Sequence, residues 1–326
     1  MKARETLLEH VRRQGVSRRA FLKFCAVTAS SLGLPLGSAR FMAEALAATP
    51  RPVVVWLASQ ACTGCVESAT RSFTPTIEDL ILNKVSLEYL STLNVLPGPA
   101  AIANADAAMA AAYGSYILLV EGAYPLKAGY SVGEGVDAVS RLAQVAPGAA
   151  LIVAIGSCAS FGGLPAANPN PSGAVSVSEL MDQGRVPRRP LVNVSGCPPM
   201  PEVINGVIVY YLTYGTVPPL DSLGRPTAYY GQTVHRNCSR LQFFMRRQFA
   251  TSYDDANARK GYCLYRLGCR GPFTHNSCTT IKWNKATSYP MLTGHNCIGC
   301  AQPDFWDQPG GFYVQRGGMG GGGGGV

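Results

Sequence analysis

Charge is scarce in this chain: only 14% of its 326 residues are Asp, Glu, Lys or Arg. With 47% hydrophobic and 9% aromatic residues, so little charge excludes a disordered or coiled-coil protein. No internal repeat is present. No run of about 18 clean apolar residues occurs, so no membrane-spanning helix is expected. The length suits one large domain or two ordinary ones, enough to bury a sizeable core.

What is present begins with a basic N-terminus. Ser17-Arg18-Arg19-Ala20-Phe21-Leu22-Lys23 is a twin-arginine pattern, followed by a weakly apolar run over residues 24–37 and a small-residue cleavage site at Ala45-Leu46-Ala47. Residues 1–47 therefore read as an export signal, the alternative being a basic amphipathic helix that stays attached. Its removal takes away eight basic and three acidic residues, so the net charge of +9 becomes +4. Overall basicity is then no argument for nucleic acid. The signal also contains Cys25, which leaves ten of the 11 cysteines. Exported cysteines usually pair as disulfides, but the twin-arginine route carries folded, often cofactor-loaded proteins. Signal and cysteines together point to metal assembly in the cytoplasm followed by export.

From residue 48 to 216 short apolar runs alternate with helical or Gly-rich segments. Residues 52–59 (PVVVWLAS), 85–95, 116–123 (YILLVEGA), 150–157 (ALIVAIGS) and 190–195 (PLVNVS) predict strands. They lack polar alternation, as a sheet covered on both faces requires. Residues 100–112 and 201–213 predict crossover helices. The pattern is α/β with a doubly wound parallel sheet. Residues 217–314 read as a second, mostly irregular and helical domain, with a helix over 238–250 and another capped by Asp254 or Asp255 and ending at Gly261. Such a segment has little apolar periodicity and needs a staple. The Gly-rich tail, residues 315–326, predicts disorder.

The cysteines sort by position. Cys62 and Cys65 follow the first strand, Cys158 ends the fourth and Cys197 the fifth. Loops at the carboxyl ends of parallel strands converge on one crevice, so these four thiolates should meet. Gly64, Gly156, Gly162, Gly163 and Gly196 flank them and permit close approach to a bulky group. Four thiolates suit zinc or an iron–sulfur cubane; ligands spread over the sheet, with a single CxxC, favour the cubane. Further on, His235, Cys238, Cys263 and Cys269 form a second set, histidine being a legitimate iron–sulfur ligand. Cys278, Cys297 and Cys300 form a third. The three sets consume every cysteine left after cleavage, which implies a relay rather than three structural staples.

The motifs at 62–68 (CTGCVES), 156–163 (GSCASFGG), 168–172 (NPNPS), 196–199 (GCPP), 235–238 (HRNC), 261–269 (GYCLYRLGC), 294–300 (GHNCIGC) and 303–307 (PDFWD), with the twin-arginine leader, resemble the small subunits of NiFe hydrogenases. The resemblance implies a flavodoxin-like domain followed by a cluster domain. It also implies a large-subunit partner that carries the nickel–iron centre where H₂ is split. By the same resemblance Cys62, Cys65, Cys158 and Cys197 hold a proximal 4Fe–4S cluster. Cys278, Cys297 and Cys300 hold a medial 3Fe–4S cluster, since Pro290 stands where some relatives place a fourth cysteine. His235, Cys238, Cys263 and Cys269 hold a distal 4Fe–4S cluster. Gly64 and Gly163 stand where oxygen-tolerant relatives carry extra cysteines, which implies an ordinary, oxygen-sensitive proximal cubane. Ala61 replaces a glutamate common before the first ligand. Glu67 reads either as a first-turn helix acid or as a proton relay. The C-terminal anchor helix of many relatives is replaced by glycines, so the expected location is periplasmic, soluble or held at the membrane by another subunit. The expected acceptor is a c-type or membrane b-type cytochrome.

Two rivals stand beside this reading. An electron-transfer subunit of the complex-I type shares the proximal-cluster domain but lacks the second and third ligand sets. A non-enzymatic exported protein with disulfides or structural zinc would contain no iron. Ten Lys/Arg face only Asp254 and Asp255 between His235 and Cys300. That excess reads as compensation for anionic clusters on a solvated face, or as a docking surface for an acidic acceptor or an anionic membrane.

Overall fold

In a computed structural model of the chain, residues 18–35, 37–48, 51–73, 76–77, 85–133 and 136–314 are described. Ser17 of the twin-arginine pattern and the Gly-rich tail lie outside them. The chain divides into two compact units, Met1–Gly231 and Gln232–Val326.

The first unit is built on five parallel strands: β1 (Val53–Ala58), β2 (Ser86–Leu90), β3 (Tyr116–Glu121), β4 (Ala149–Ile155) and β5 (Leu191–Val194). Their order is β2-β1-β3-β4-β5, with every pair parallel, the flavodoxin-like arrangement. Register pairs Val54 with Ile117 and Ile117 with Leu151 across the centre. β3 is buried at all six residues, as its uninterrupted apolar run predicts. Ile117, Leu118, Ile152 and Ile155 are fully buried, each contributing about 1.5–3 kcal/mol of apolar burial.

Among the described residues, the helices that accompany the sheet include α1 (Arg18–Ser31), α2 (Ser38–Ala48), α3 (Gly64–Thr70), α4 (Gly98–Ala111), α5 (Ala138–Val145), α6 (Gly156–Phe161), α7 (Val177–Asp182) and α8 (Pro201–Tyr214). Val53, Val55 and Leu57 of β1 join a core with Ala105 and Met109 of α4, Leu142 of α5 and Leu180 of α7. The alternate residues Val54 and Trp56 face Val66 and Ala69 of α3 and Ile204 and Ile208 of α8. Side chains alternating across one strand thus meet helices on both faces, which makes the sheet doubly wound. The helix ends follow local chemistry. The Asp137 carboxylate accepts from the Ser140 N–H at 2.9 Å, Ser176 and Glu179 form a capping box, and α8 runs from Pro201 to a left-handed Gly215.

The sequence places the domain boundary after residue 216, whereas the compact units divide after Gly231. Residues 217–231 form a strap bound to the α/β unit. Asn193 donates its N–H to Gly224 O (2.8 Å), Tyr230 its hydroxyl to Ser195 O (2.7 Å), and Arg225 pairs with Asp221 (2.9 Å). The strap's Tyr229 packs so closely on α8 that a Cβ on Gly206 would lie 2.0 Å from its hydroxyl. α1 and α2 pack on each other with Cys25 and Met42 fully buried, and Phe41 stacks on Tyr214 of α8 at 5.6 Å.

The second unit is irregular: short helices over Leu241–Met245 and Ala256–Arg259, and several 3₁₀ turns. The helix expected over 238–250 is cut to Leu241–Met245. Cys238 is extended (φ −73°, ψ 132°), and Arg247 turns into the left-handed region (φ 56°). The chain then runs extended, where Cys263 donates its N–H to Gln248 O at 3.1 Å and accepts at its own carbonyl from Ala250 N–H at 3.0 Å. Pairing to the Cys263 segment satisfies these backbone groups better than another helical turn would.

Candidate metal centres

At the carboxyl ends of β1, β4 and β5 the chain delivers four thiols. Cys62 and Cys65 bracket the start of α3, Cys158 lies in α6, and Cys197 follows β5. Reciprocal bonds lace the supporting loops together. Ser157 donates its N–H to Gly196 O (2.9 Å) and accepts the Gly196 N–H on its hydroxyl (3.0 Å). Ser68 of α3 donates its hydroxyl to Pro199 O at 2.6 Å. Two glycines are sterically required. A Cβ on Gly156 (φ 89°) would lie 2.5 Å from Cys65 Sγ, and one on Gly163 (φ 59°) would lie 2.6 Å from both Sγ and Cα of Cys158.

Beneath Cys65 lies a group that sequence reasoning missed. Glu121, the last residue of β3, is 1% exposed. Its Oε1 accepts from the Cys65 N–H at 3.1 Å and its Oε2 from Trp56 Nε1–H at 3.2 Å. Burial raises its pKa, against the lowering effect of these donors. The one available signal was an acid closing an otherwise apolar strand. Glu67, by contrast, is exposed and paired with Arg71 at 2.6 Å.

Burial drives the thiols towards their neutral form. Cys65 is raised well above the ordinary thiol value, by burial and then by Glu121, Cys158, Cys197 and Cys62. Cys158 is pushed up to about 12 by burial and then by Cys197. Cys197 is raised by burial and then by Cys62. Cys62, Cys158 and Cys197 thus lie near enough to Cys65 to act on its charge.

In the second unit His235, Cys238, Cys263 and Cys269 line one pocket, with Val234, Leu264 and Met291 beside them. The 3₁₀ turn Val234–Asn237 presents His235, whose ring meets Phe244 edge-on at 4.5 Å. Burial lowers the His235 pKa, favouring the neutral, ligating form. Cys238 is raised by burial, opposed by the Arg240 N–H at 3.4 Å, and Cys263 is pushed up to about 11 by burial. Arg240 is locked by donating to Met291 O and Tyr262 O, each at 2.6 Å.

Cys278 and Cys297 are buried and each pushed up to about 12, by burial first and then, for Cys278, by Cys297, and for Cys297 by Cys269 and Cys300. Cys297 donates its N–H to Cys269 Sγ at 3.4 Å, so the second and third sets share a wall. Thr279 Oγ1 and Gln302 Nε2 are buried without a hydrogen-bond partner among the described residues. They stand one residue from Cys278 and two from Cys300.

No disulfide links the eleven cysteines. Among the described residues no three His, Cys, Asp or Glu side chains converge tightly enough for a single metal ion. Thiols around a pocket, cradles that a Cβ would fill and orphaned polar atoms close in sequence to two of the cysteines fit polynuclear iron–sulfur groups better than one zinc ion.

Comparison with known proteins agrees. Residues 230–313 match the family that describes the C-terminal part of the NiFe/NiFeSe hydrogenase small subunit, and residues 62–211 match the family described as NADH ubiquinone oxidoreductase, 20 Kd subunit. The uptake hydrogenase small subunit of Azotobacter vinelandii is 44% identical over 315 residues, covering 96% of this chain and 86% of that one. The hydrogenase-1 small chain of Escherichia coli K12 is 42% identical over 315 residues, covering 96% and 83%. Among solved structures, the recombinant [NiFeSe] hydrogenase of Desulfovibrio vulgaris Hildenborough in the oxidized state aligns with a TM-score of 0.74 at 32% identity, over 82% of this chain and 99% of that chain. The match over 230–313 separates this chain from the complex-I type, for which the second and third ligand sets are not expected. With its sheet order, its thiol sets and relatives alike over nearly their whole length, the chain belongs to the NiFe hydrogenase small-subunit family.

Proposed function

We propose that this chain is the electron relay of an H₂ oxidoreductase heterodimer, with three iron–sulfur clusters between the large subunit's NiFe centre and an external acceptor. Membership of the family makes the hydrogenase large subunit its partner. In this reading Cys62, Cys65, Cys158 and Cys197 hold a proximal 4Fe–4S cluster, Cys278, Cys297 and Cys300 a medial 3Fe–4S cluster, and His235, Cys238, Cys263 and Cys269 a distal 4Fe–4S cluster. When bound, these groups supply one-electron steps linking H₂ ⇌ 2H⁺ + 2e⁻ on the partner to the acceptor. Two observations support the proposal: Cys62, Cys65, Cys158 and Cys197 lie beyond the carboxyl ends of parallel strands, and His235, Cys238, Cys263 and Cys269 line one pocket.

The chain's own residues do the positioning. The Ser157–Gly196 and Ser68–Pro199 bonds hold the first-site loops in register, and Glu121 aims the Cys65 backbone. Val234, Leu264 and Met291 exclude water at the His235 set. The buried thiols must lose their protons to ligate, so assembly releases protons and binding weakens as pH falls. Export by the twin-arginine leader and a periplasmic location belong to the same proposal, supported by the order of arginine pair, apolar run and cleavage site. A c-type or membrane b-type cytochrome is the acceptor class it entails.

EPR of the oxidised heterodimer tests it. A 3Fe–4S signal that disappears in Cys297→Ser, while the other clusters persist on reduction, is the expected result. Absence of acid-labile sulfide, or a native disulfide between any two of the ten cysteines, overturns it.

A further inference from the structure

We propose that the face carrying His235 is a docking surface for an acidic one-electron redox protein, held by Arg236, Arg246, Arg247 and Lys260 together with an exposed Met245. This inference rests on the relay reading above and names the kind of partner that takes its electrons.

The charge is unevenly placed. Residues 232–326 contain eleven Lys/Arg against four acids, whereas residues 48–231 contain nine against twelve. All the net positive charge left after leader removal therefore belongs to the unit with the histidine-containing set. Compensation of anionic clusters does not account for it. The half-buried Arg240 and the buried Arg270, near the thiols, are already engaged by backbone: Arg240 by Met291 and Tyr262, Arg270 by Phe305 and Gly311. Arg236, Arg246, Arg247 and Lys260 are instead exposed, and none of their charged groups makes an ion pair among the described residues. The nearby acids are occupied. Asp255 accepts from the N–H groups of Thr251, Ser252 and Ala258, and the Asp254 carboxylate accepts from the Ser252 hydroxyl.

Packing gathers these cations. The helix Leu241–Met245 sits against the His235 turn through Phe244 at 4.5 Å. Phe243 contacts Tyr262 at 5.1 Å, and Cys263 N–H bonds to Gln248 O, so Lys260 lies on the segment beside Arg246 and Arg247. Met245, next to Arg246 at the end of the same short helix, is 73% exposed. A flexible apolar side chain beside exposed cations is the composition of a transient redox interface: charge steers and orients, and a small apolar centre allows close, reversible contact. Each acceptor molecule takes one electron, so two are reduced per H₂, the protons leave on the partner subunit, and no bond forms in this chain.

The test uses the intact heterodimer with two c-type cytochromes of similar potential, one acidic and one lysine-rich. H₂-dependent reduction of each is divided by the rate with a small uncharged dye in the same preparation, so that folding losses cancel. With the acidic cytochrome the normalised rate should fall about tenfold or more in Arg246→Glu/Arg247→Glu, and should also fall as salt is raised. It should be unaltered in Arg185→Glu/Arg188→Glu, two exposed arginines of the first unit. Equal rates in the two double variants, or preference for the lysine-rich cytochrome, overturn the proposal. So does a charge reversal that abolishes only binding to vesicles of anionic lipid, which would make the face a membrane contact. Absence of dye reduction in the unaltered heterodimer would instead remove the relay reading itself.

Discussion

Glu121 and Cys65 are joined across the top of the sheet: the carboxylate at the end of β3 accepts the backbone N–H of Cys65 at 3.1 Å, while its other oxygen accepts from Trp56 at 3.2 Å. A buried acid thus fixes where the main chain of Cys65 lies, 56 residues away in sequence. Glu121→Ala leaves two buried donors without acceptors, at about 1–3 kcal/mol each. We expect a lower thermal midpoint and loss of iron from the first site, read by calorimetry and EPR, with Glu121→Gln recovering much of the stability because the amide oxygen still accepts. Full iron content and an unchanged midpoint in Glu121→Ala would refute the positioning role.

The thiols set a pH dependence whose sign differs between the empty and loaded protein. In the cluster-free chain Cys158, Cys278 and Cys297 are raised from 9.0 to about 12, and Cys263 to about 11. A group whose folded pKa is raised stabilises fully below its unfolded value and loses that contribution as pH climbs to the folded one. Urea midpoints of the cluster-free chain should therefore fall between about pH 9 and 12. The iron-bound protein should instead lose iron on acidification, because protons compete for thiolate.

Gly163 and Gly64 predict opposite outcomes for the same change. In Gly163→Ala the new methyl meets the Cys158 backbone at 2.6 Å, with φ 59° and ψ −156°, combining about 1–3 kcal/mol of strain in a region only glycine readily adopts with overlap. In Gly64→Ala it meets only the Sγ of Cys62 at 3.1 Å. Iron content at the first site should drop in the former and survive in the latter. With glycine at both positions, H₂ oxidation by the purified heterodimer should fail in air, and sustained aerobic turnover would refute that.

Gly206 and Tyr229 couple the strap to α8. Gly206→Ala places a methyl 2.0 Å from the Tyr229 hydroxyl, an overpacking cost of about 1–3 kcal/mol. Tyr229→Phe in the same chain should restore part of the lost melting temperature, a coupling that a double-mutant cycle measures directly.

The strands were legible because a sheet covered on both faces needs uninterrupted apolar runs, and residues 116–121 and 149–155 are such runs. The placement of Cys62, Cys65, Cys158 and Cys197 beyond the carboxyl ends of parallel strands was legible for a related reason: such strands deliver those ends to one side. Short-range rules failed in the second unit. The helix over 238–250 gave way to an extended Gln248–Ala250 because Cys263, far along the chain, offers those backbone groups partners.

The amino-acid sequence by itself determined the fold class, the number of thiols and their order along the chain, since apolar periodicity and cysteine spacing are local properties. The tertiary structure decided the rest: that Glu121 and Trp56 clasp the Cys65 backbone, that Cys269 adjoins Cys297, and that residues 217–231 bind the α/β unit. Each of these is a contact between distant segments, decided by which buried donor finds which acceptor only after the sheet and its helices have closed.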